Sequence, residues 1–250
     1  MIAIFAALEV EVRAGIGSTK VDRESEVAGF PIFEIEGAVV CRTGFGPRAK
    51  DAVKATLEIH RTAAVVLSIG IAGGLSPNID AGEVVVCDRI DHESQRESKI
   101  VASVVCDPNL VEAAAAAARG MSLPTHIGSS ITVDEAAWGP DEKAAHYAWR
   151  GHDIVEMESY WIGEEAARRG MPFLTVRTIS DHHGDTLVKT KAMRPDGTLD
   201  QQAFVDYVRE HPEAQPLIIR QYEAGQLAFK NLSIFCAAFL PPLAEHFAVR

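Results

Sequence analysis

Acidic side chains stand at three places where an apolar, strand-like segment ends. These side chains are Glu11, Glu156, Glu158 and Asp181. An aspartate in a buried setting, where its pKa rises, can act as a general acid, and this chemistry is open to Asp181. Two glutamates at positions i and i+2 lie on one side of a strand, so Glu156 and Glu158 could accept hydrogen bonds from sugar hydroxyls.

Each acidic motif also has a structural interpretation. Glu9 and Glu11 could be solvated residues that the dipole of a following helix favours. The segment Val155–Ser159 could be the start of a helix with acidic residues in its first turn. Asp181 could cap whatever element follows its strand. The residues alone leave these alternatives open.

A glycine-rich turn follows another buried apolar segment. Its residues are Gly70, Ile71, Ala72, Gly73 and Gly74. Glycines permit close backbone approach and can expose N–H groups to a ligand, although a tight turn is an equally simple interpretation. The motif is neither a P-loop nor G-x-G-x-x-G. Met157, between the two glutamates, offers a polarizable surface to a flat or apolar group.

The elements that must position these motifs alternate between strand-like and helical patterns. The predicted strands are Ile2–Leu8, Phe30–Ile35, Ala38–Thr43, Ala64–Ile69, Glu83–Cys87, Ile127–Val133, Ile154–Met157 and Phe173–Ile179. The predicted helices are Ala49–His60, Asp107–Gly120, Ser159–Arg169, Asp200–Glu210, Pro212–Ala224 and Gln226–Phe239. This alternation predicts a single α/β domain over residues 1–250, with three α/β/α layers and a central mixed, largely parallel twisted sheet. Ligands of such sheets bind beyond the carboxyl ends of the strands, where these motifs lie.

Composition excludes several classes of protein. The 250 residues carry a net charge of −11, which argues against binding nucleic acid. The four cysteines are scattered, so we expect buried, reduced thiols and a cytoplasmic location. The longest apolar stretch near the C-terminus, Leu232–Ala244, is too short to span a bilayer, and the N-terminus lacks the basic start of a signal peptide. The spacing of His182 and His183 matches no standard zinc pattern, so no metal site is expected.

Taken together and in order, the motifs resemble those of the methylthioadenosine/S-adenosylhomocysteine nucleosidases and nucleoside phosphorylases. The motifs are Ala7–Val12, Gly70–Leu75, Val155–Glu158 and Arg177–Asp181. No single motif is decisive, but the combination is specific because order and spacing both match. The resemblance covers nearly the whole chain up to about Asp181.

The resemblance implies cleavage of the N-glycosidic bond of a purine nucleoside, and it implies a role for individual residues. Glu11 would position the attacking water, and Asp181, supported by Ser180 and Arg177, would deliver a proton to N7 of the purine. Met157 would pack against the sugar and Glu158 would hold the ribose hydroxyls. Further contacts with the substrate are expected from Gly70, Ile71, Ala72, Gly73 and Glu156. This division of labour follows the two-carboxylate logic of inverting glycoside hydrolysis.

The chain departs from the family pattern at several positions. Ile71 stands where nucleosidases typically have serine, and Ala136 and Ala137 stand where an adenine-stacking aromatic residue is expected. The C-terminal segment His211–Arg220 resembles a hopanoid-associated branch that is thought to remove adenine from an adenosyl-lipid. Core packing or an oligomer interface is the simpler interpretation of the C-terminal helices.

Hydrolysis is favoured over phosphorolysis, which remains the alternative, also in its hopanoid-associated form. A phosphorylase needs a cationic clamp for phosphate. The candidates are Arg42, Gly44 and Arg48, while Ser68 stands where the phosphorylase branch has an arginine. A non-catalytic nucleoside-binding protein is a further alternative, against which the retained acids argue. No organic cofactor is implied, and a homo-oligomer, dimeric or larger, is expected from the resemblance.

Overall fold

The computed structural model describes residues 1–94, 99–190 and 192–248. Its strands are β1 (Ile2–Ala6), β2 (Val21–Val27), β3 (Phe30–Ile35), β4 (Ala38–Arg42), β5 (Val65–Gly74), β6 (Val84–Ser94), β7 (Lys99–Val105), β8 (Thr125–Thr132), β9 (Ile154–Glu156) and β10 (Phe173–Asp181). Its helices are α1 (Glu9–Ile16), α2 (Arg48–Ile59), α3 (Pro108–Gly120), α4 (Pro140–Arg150), α5 (Ser159–Arg168), α6 (Gln201–Glu210) and α7 (Gln215–Ala248), with a 3₁₀ turn at Pro212–Ala214.

The strands form one mixed sheet, which confirms the predicted α/β fold with a central mixed sheet. Strands β4, β1, β5 and β10 run parallel to one another, and the hairpin strands β3 and β2 extend the β4 edge in antiparallel fashion. Beyond β5 the sheet closes on itself, because β10 pairs with β6, β6 with β8, β8 with β9, and β9 returns to β5. This barrel-like closure was not anticipated from the sequence.

Strands β1 and β5 are the buried centre of the molecule. Every residue of β1 is inaccessible to solvent or nearly so, which is what a continuous apolar run predicts for a strand covered on both faces. β5 runs five residues past the predicted end at Ile69, because the glycine segment Gly70–Gly74 continues the ladder with β10. The predicted tight turn is therefore strand, and its backbone lies against the end of β10.

Three elements escaped prediction. β2 is a polar edge strand without apolar alternation, and β7 joins the sheet by pairing with β6. α4 has a low content of apolar residues, although Pro140 at its first position and left-handed Gly151 after its last residue are standard helix boundaries. The described residues of the predicted polar loop between Asp181 and Leu199 contain no helix.

α7 is one helix where two were predicted. Gly225 and the pair Pro241-Pro242 lie inside it. A glycine in a helix costs about 1 kcal/mol, which the burial of Leu232, Phe235 and other apolar side chains against the sheet offsets. By length and composition alone the segment 212–248 could cross a membrane, and 44% of its most apolar stretch is buried within the chain.

The four cysteines are free and buried, as predicted. Burial raises the pKa of Cys41, Cys106 and Cys236 to about 12, so each thiol is protonated and unreactive at neutral pH.

The start of α3 provides a test of the local sequence rules. Asp107 accepts hydrogen bonds from the backbone N–H groups of Asn109 and Leu110. Replacing Asp107 with alanine should lower the free energy of unfolding by about 1 kcal/mol, measured by denaturant titration, because these donors lose their acceptor. Glu112→Ala, an exposed change in the same helix, is the control and should change it by less than about 0.5 kcal/mol. Equal effects of the two substitutions would contradict the assignment of the cap.

Candidate active site

The acidic residues singled out in the sequence meet at one pocket, at the carboxyl ends of β1, β5, β9 and β10. Glu11 follows β1 in the first turn of α1, and Asp181 is the last residue of β10. Glu156 ends β9 and Glu158 immediately precedes α5. The pocket is lined by these four residues together with Ala7, Leu8, Phe45, Ile71, Ala72, Gly73, Val133, Ala136, Ala137, Val155, Met157, Ser180 and Leu187.

Glu11 is buried rather than solvated, so the helix-dipole interpretation does not hold for it. Oε2 accepts hydrogen bonds from the amides of Ala7 and Leu8 at 2.9 and 2.8 Å, and Oε1 accepts from the amide of Ile71 at 2.8 Å. Burial raises the pKa of Glu11, against the opposing effects of Arg177 and the three amides. A carboxylate has about four acceptor positions, so one remains for a ligand. Glu9, by contrast, is exposed and pairs with Arg13.

Arg177 is fully enclosed behind the pocket. Its Nη2 lies 2.7 Å from Glu156 Oε2 and 3.8 Å from Glu158 Oε2. The same nitrogen also contacts the hydroxyls of two buried serines, Ser68 at 3.1 Å and Ser159 at 2.9 Å. Burial alone would lower the pKa of Arg177, but the carboxylates of the neighbouring glutamates outweigh this effect and raise it. The guanidinium is therefore a permanent charge that holds the acidic wall together.

Glu156 is held by four protein donors. Its Oε2 accepts from Arg177 and from the amides of Glu158 and Ser159 at 2.9 and 2.6 Å. Its Oε1 accepts from the hydroxyl of Thr132. Because three of these donors meet at Oε2, the carboxylate orients Arg177 and the start of α5, while the predicted contact of Glu156 with substrate stays a prediction.

Glu158 retains free acceptor capacity and faces the pocket. The amide of Gly46 donates to its Oε1 at 3.0 Å, and Arg177 stands beyond hydrogen-bonding distance. Burial, reinforced by the neighbouring Glu156, raises the pKa of Glu158 to about 8, despite Arg177 and the Gly46 amide. At neutral pH this side chain can donate one hydrogen bond and accept another, which suits a pair of hydroxyl groups.

Asp181 is placed by an irregularity in the β5–β10 ladder. Ile179 pairs with Ala72 and Asp181 pairs with Gly73, so Ser180 is the extra residue of a bulge. Bulges re-aim side chains and are frequent next to active sites. The Ser180 hydroxyl lies 2.6 Å from Asp181 Oδ2, and a buried lysine, Lys143, donates to Oδ1.

Apolar groups form the remainder of the pocket. Ala136 and Ala137, predicted to stand where an aromatic residue is expected, do line it, and they leave space there. Phe45 supplies an aromatic ring from another direction, and Met157 lies between the acidic residues. Trp138 is not part of the lining; its ring contacts the ammonium of Lys189.

The three candidates for a phosphate site lie outside the pocket lining. Arg42 points towards Glu9, with 4.0 Å between the charged atoms, and Arg48 stacks over the ring of Phe30. Gly44 has a φ of +69°, and a side chain there would collide with the carbonyl of Pro195, so its glycine is explained by loop packing. Their role in binding phosphate stays a prediction.

Lys143 and Phe45 are the main site residues that sequence reasoning missed. Lys143 lies on α4, which was not predicted, so its side chain had no place in the fold. The signal available was the helix boundary at Gly139-Pro140 and a lone lysine on the less polar side of that helix. Among the residues that the structure describes, no cluster of three or more His, Cys, Asp or Glu side chains is arranged to hold a metal ion.

With a partly closed mixed sheet and a pocket of acids at its carboxyl edge, the protein falls in the class of nucleoside phosphorylase-type α/β enzymes. The chain belongs to the phosphorylase superfamily, whose family model matches residues 1–210.

Relatives at the level of sequence are bacterial nucleosidases. The 5′-methylthioadenosine/S-adenosylhomocysteine nucleosidase of Marinomonas sp. (strain MWYL1) is 27% identical over 90% of this chain and 99% of its own length. The enzyme of the same name from Geobacillus thermodenitrificans is 31% identical over 73% of this chain and 84% of its own length.

Solved structures show the same fold. The 5′-methylthioadenosine/S-adenosylhomocysteine nucleosidase from Neisseria meningitidis, in complex with methylthio-immucillin-A, matches with a TM-score of 0.71 and 21% identity, over 96% of this chain and 98% of that one. The native futalosine hydrolase of Helicobacter pylori matches with a TM-score of 0.67 and 14% identity, over 94% and 96%.

Gly70 tests the packing behind the pocket. A Cβ at this position would lie 2.2 Å from Arg177 Nη1 and 2.5 Å from Glu11 Oε1. Gly70→Ala should therefore displace the side chains of Arg177 and Glu11 and lower the free energy of unfolding by about 1–3 kcal/mol. Gly120→Ala, where a Cβ meets nothing within 4 Å, is the matched control. A Gly70→Ala protein as stable as the wild type would show that the cluster relaxes freely.

Glu158 predicts a pH dependence of stability. Its pKa is about 8 in the folded protein, above the ordinary value for a glutamate, so the folded state holds a proton that the unfolded state releases. The stabilisation is complete below the unfolded pKa and is lost as pH rises towards about 8, with a slope of at most about 1.4 kcal/mol per pH unit. Denaturant titrations across this window should show a smaller slope in Glu158→Gln, and an unchanged slope would contradict the burial argument.

Proposed function

We propose that this protein is a nucleosidase that hydrolyses the N-glycosidic bond of an adenine nucleoside with a 5′ substituent. 5′-Methylthioadenosine and S-adenosylhomocysteine, which name its sequence relatives, are the substrates to test first. The observation that carries the proposal is that Glu11 and Asp181 line one pocket and each keeps an acceptor position for a ligand.

The two acids are anchored at separate points of the same strand. Glu11 is bound to the amide of Ile71, whereas Asp181 stands beside Gly73, whose Cβ would be 3.1 Å from Oδ1. Two residues of a strand span roughly 7 Å. The two carboxyl groups therefore approach the pocket from different points of β5.

The reaction divides into a proton side and a water side. As the bond between C1′ and N9 breaks, its electron pair moves to the base, and Asp181 passes a proton to N7 so that the base leaves neutral. Water attacks C1′ from the opposite face and gives its proton to Glu11. Each such proton transfer contributes about 10²–10⁴-fold to the rate. Glu158 holds the ribose hydroxyls, and Met157 packs against the sugar.

Ser68 supports water over phosphate as the nucleophile. Its hydroxyl accepts from Arg177 and lies 3.4 Å from the hydroxyl of Ser159, in a space closed to solvent. An arginine at this position would place a second buried cation beside Arg177, which is strongly unfavourable without an added anion. The arginine of the phosphorylase branch is thus incompatible with this packing. The cytoplasmic location and a homo-oligomeric state remain proposals from the sequence.

Release of free base tests the proposal. The purified protein is incubated with methylthioadenosine, S-adenosylhomocysteine, adenosine and inosine, each with and without phosphate, and free base is measured by chromatography. Adenine released without phosphate supports the nucleosidase. Release only with phosphate would replace it with a phosphorylase, and tight binding without release would point to a nucleoside-binding protein.

Substitution of Asp181 tests the assignment of roles. Asp181→Asn should lower kcat at least about 100-fold, because asparagine cannot deliver a proton. Thermal melting must accompany the assay, because the substitution also removes the anionic partner of the buried Lys143. Asp185→Asn, in the loop that follows, is the matched control and should keep wild-type turnover; Asp185 contacts Arg220 and the amide of His182. Normal kcat in Asp181→Asn would refute its role as general acid.

A further inference from the structure

Lys143 is a buried lysine whose ammonium group reaches the proposed general acid. Its side chain is fully inaccessible to solvent. Nζ donates to Asp181 Oδ1 and, at 2.8 Å, to the carbonyl oxygen of His182. The helix that carries it, α4, lies outside the four sheet-end motifs, so neither the sequence motifs nor the function proposed above gives this residue a role.

The contact fixes the charge state of the pair. A buried ammonium is tolerated only when it is paired and hydrogen-bonded, and Lys143 has both an anionic and a carbonyl partner. Asp181 in turn accepts on both oxygens, from Lys143 and from the hydroxyl of Ser180. Because Asp181 faces an ammonium group, the pair carries one transferable proton more than a bare carboxylate would.

We infer that Lys143 is the positioning residue that supplies the proton which Asp181 delivers to the leaving base. This inference rests on the proposed N-glycosidic cleavage and deepens it, because it names the source of the proton. Lys143 touches Asp181 and not the substrate, so it acts through the aspartate.

The proton moves in two linked transfers. An N–H bond of Lys143 breaks as an O–H bond forms on Asp181, which leaves a neutral amine beside a neutral acid. The O–H bond of Asp181 then breaks as the N7–H bond forms and the C1′–N9 electron pair moves to the base. The proton that the attacking water releases, first to Glu11 and then to solvent, balances the one that Lys143 takes up from solvent before the next turnover.

This arrangement extends the pH range over which the acid is loaded. A free carboxylic acid loses its proton near pH 4, whereas a free ammonium keeps its proton to about pH 10. Of the two groups, the ammonium is therefore the one that holds the proton more tightly. Without the lysine, the aspartate must carry its own proton, and turnover must then fall as pH rises.

Other titratable groups surround the pair and must be separated from it. His182 and Asp185 belong to the adjoining loop, and the His182 ring lies 3.6 Å from Asp80. Glu11, Glu156 and Glu158 occupy the other walls of the pocket. These groups are present in the wild type and in every variant of Lys143, so the difference between two pH profiles reports on the lysine.

The test compares Lys143→Met with Lys143→Arg and with Lys189→Met. Lys189 contacts the ring of Trp138, beside α4, and forms no ion pair with Glu11 or Asp181. It is therefore the control for the loss of a lysine from this region. Adenine release is measured between pH 5 and 10, and thermal melting shows whether each variant folds.

Lys143→Met should lower kcat at least about 100-fold at pH 8 and change KM little. The kcat of this variant should recover as pH falls. The basic limb of its profile should move to lower pH by at least one unit, whereas Lys143→Arg should keep a profile closer to that of the wild type. A purely structural lysine would give a loss of activity that is the same at every pH, and that result would overturn the inference.

Infrared spectroscopy provides a readout that needs no turnover. The difference spectrum between each protein and the same protein carrying Asp181→Asn isolates the carboxyl group of Asp181. We expect Asp181 to be an ionised carboxylate in the wild type. In Lys143→Met we expect it to stay protonated up to a higher pH than in the wild type. Identical titration in the two proteins would overturn the inference. If the wild type releases no base from any nucleoside, the proposed function fails, while the spectra still decide whether Lys143 controls the aspartate.

Discussion

One guanidinium buried among three carboxylates is the interaction on which the site depends. Arg177 cannot lose its charge, and it stands within reach of Glu156, Glu158 and Glu11 in a space closed to water. Three negative charges around one positive charge are unfavourable at low dielectric, so protons must be retained. Burial raises the pKa of Glu11, and burial together with the neighbouring Glu156 raises that of Glu158. The same interaction accounts for glycine at position 70 and for the two serine hydroxyls at the guanidinium.

The acidic residues differ in how many hydrogen-bond donors of the protein each carboxylate already accepts. Four protein donors bind the carboxylate of Glu156, which orients Arg177 and the start of α5. In the sequence alone Glu156 looks equivalent to Glu158. Glu11 keeps one acceptor position, and Asp181 keeps its remaining positions beside the bulge at Ser180. Counting acceptors therefore assigns different tasks to side chains of the same chemical type, and the proposed water side, sugar side and proton side of the reaction follow from that count.

The sequence predicted the parts of this structure that depend on local patterns. The buried strands, the capped start of α3 and the convergence of the acidic motifs at the carboxyl edge all follow from apolar runs and capping residues. The closure of the sheet depends on pairing between distant strands, such as β9 with β5, and no local pattern encodes it. α7 was divided at Gly225 because tertiary burial, which outweighs the glycine, is invisible in the sequence. Lys143 was missed with α4, since its role arises only from a contact across 38 positions of the chain.

The pocket lining has two parts: acidic residues near the ends of paired strands, and segments outside the sheet around Ala136 and Leu187. The acids lie at the ends of strands or just after them, where the pairing of neighbouring strands fixes their positions. The cover is formed by the segments around Ala136 and Leu187, which are joined to each other by a hydrogen bond of 2.7 Å between the Leu187 amide and the Trp138 carbonyl. Insertions or substitutions in that cover leave the strand pairing untouched. The architecture thus makes these two segments the natural targets for changing which ligand the pocket prefers without disturbing the acidic residues.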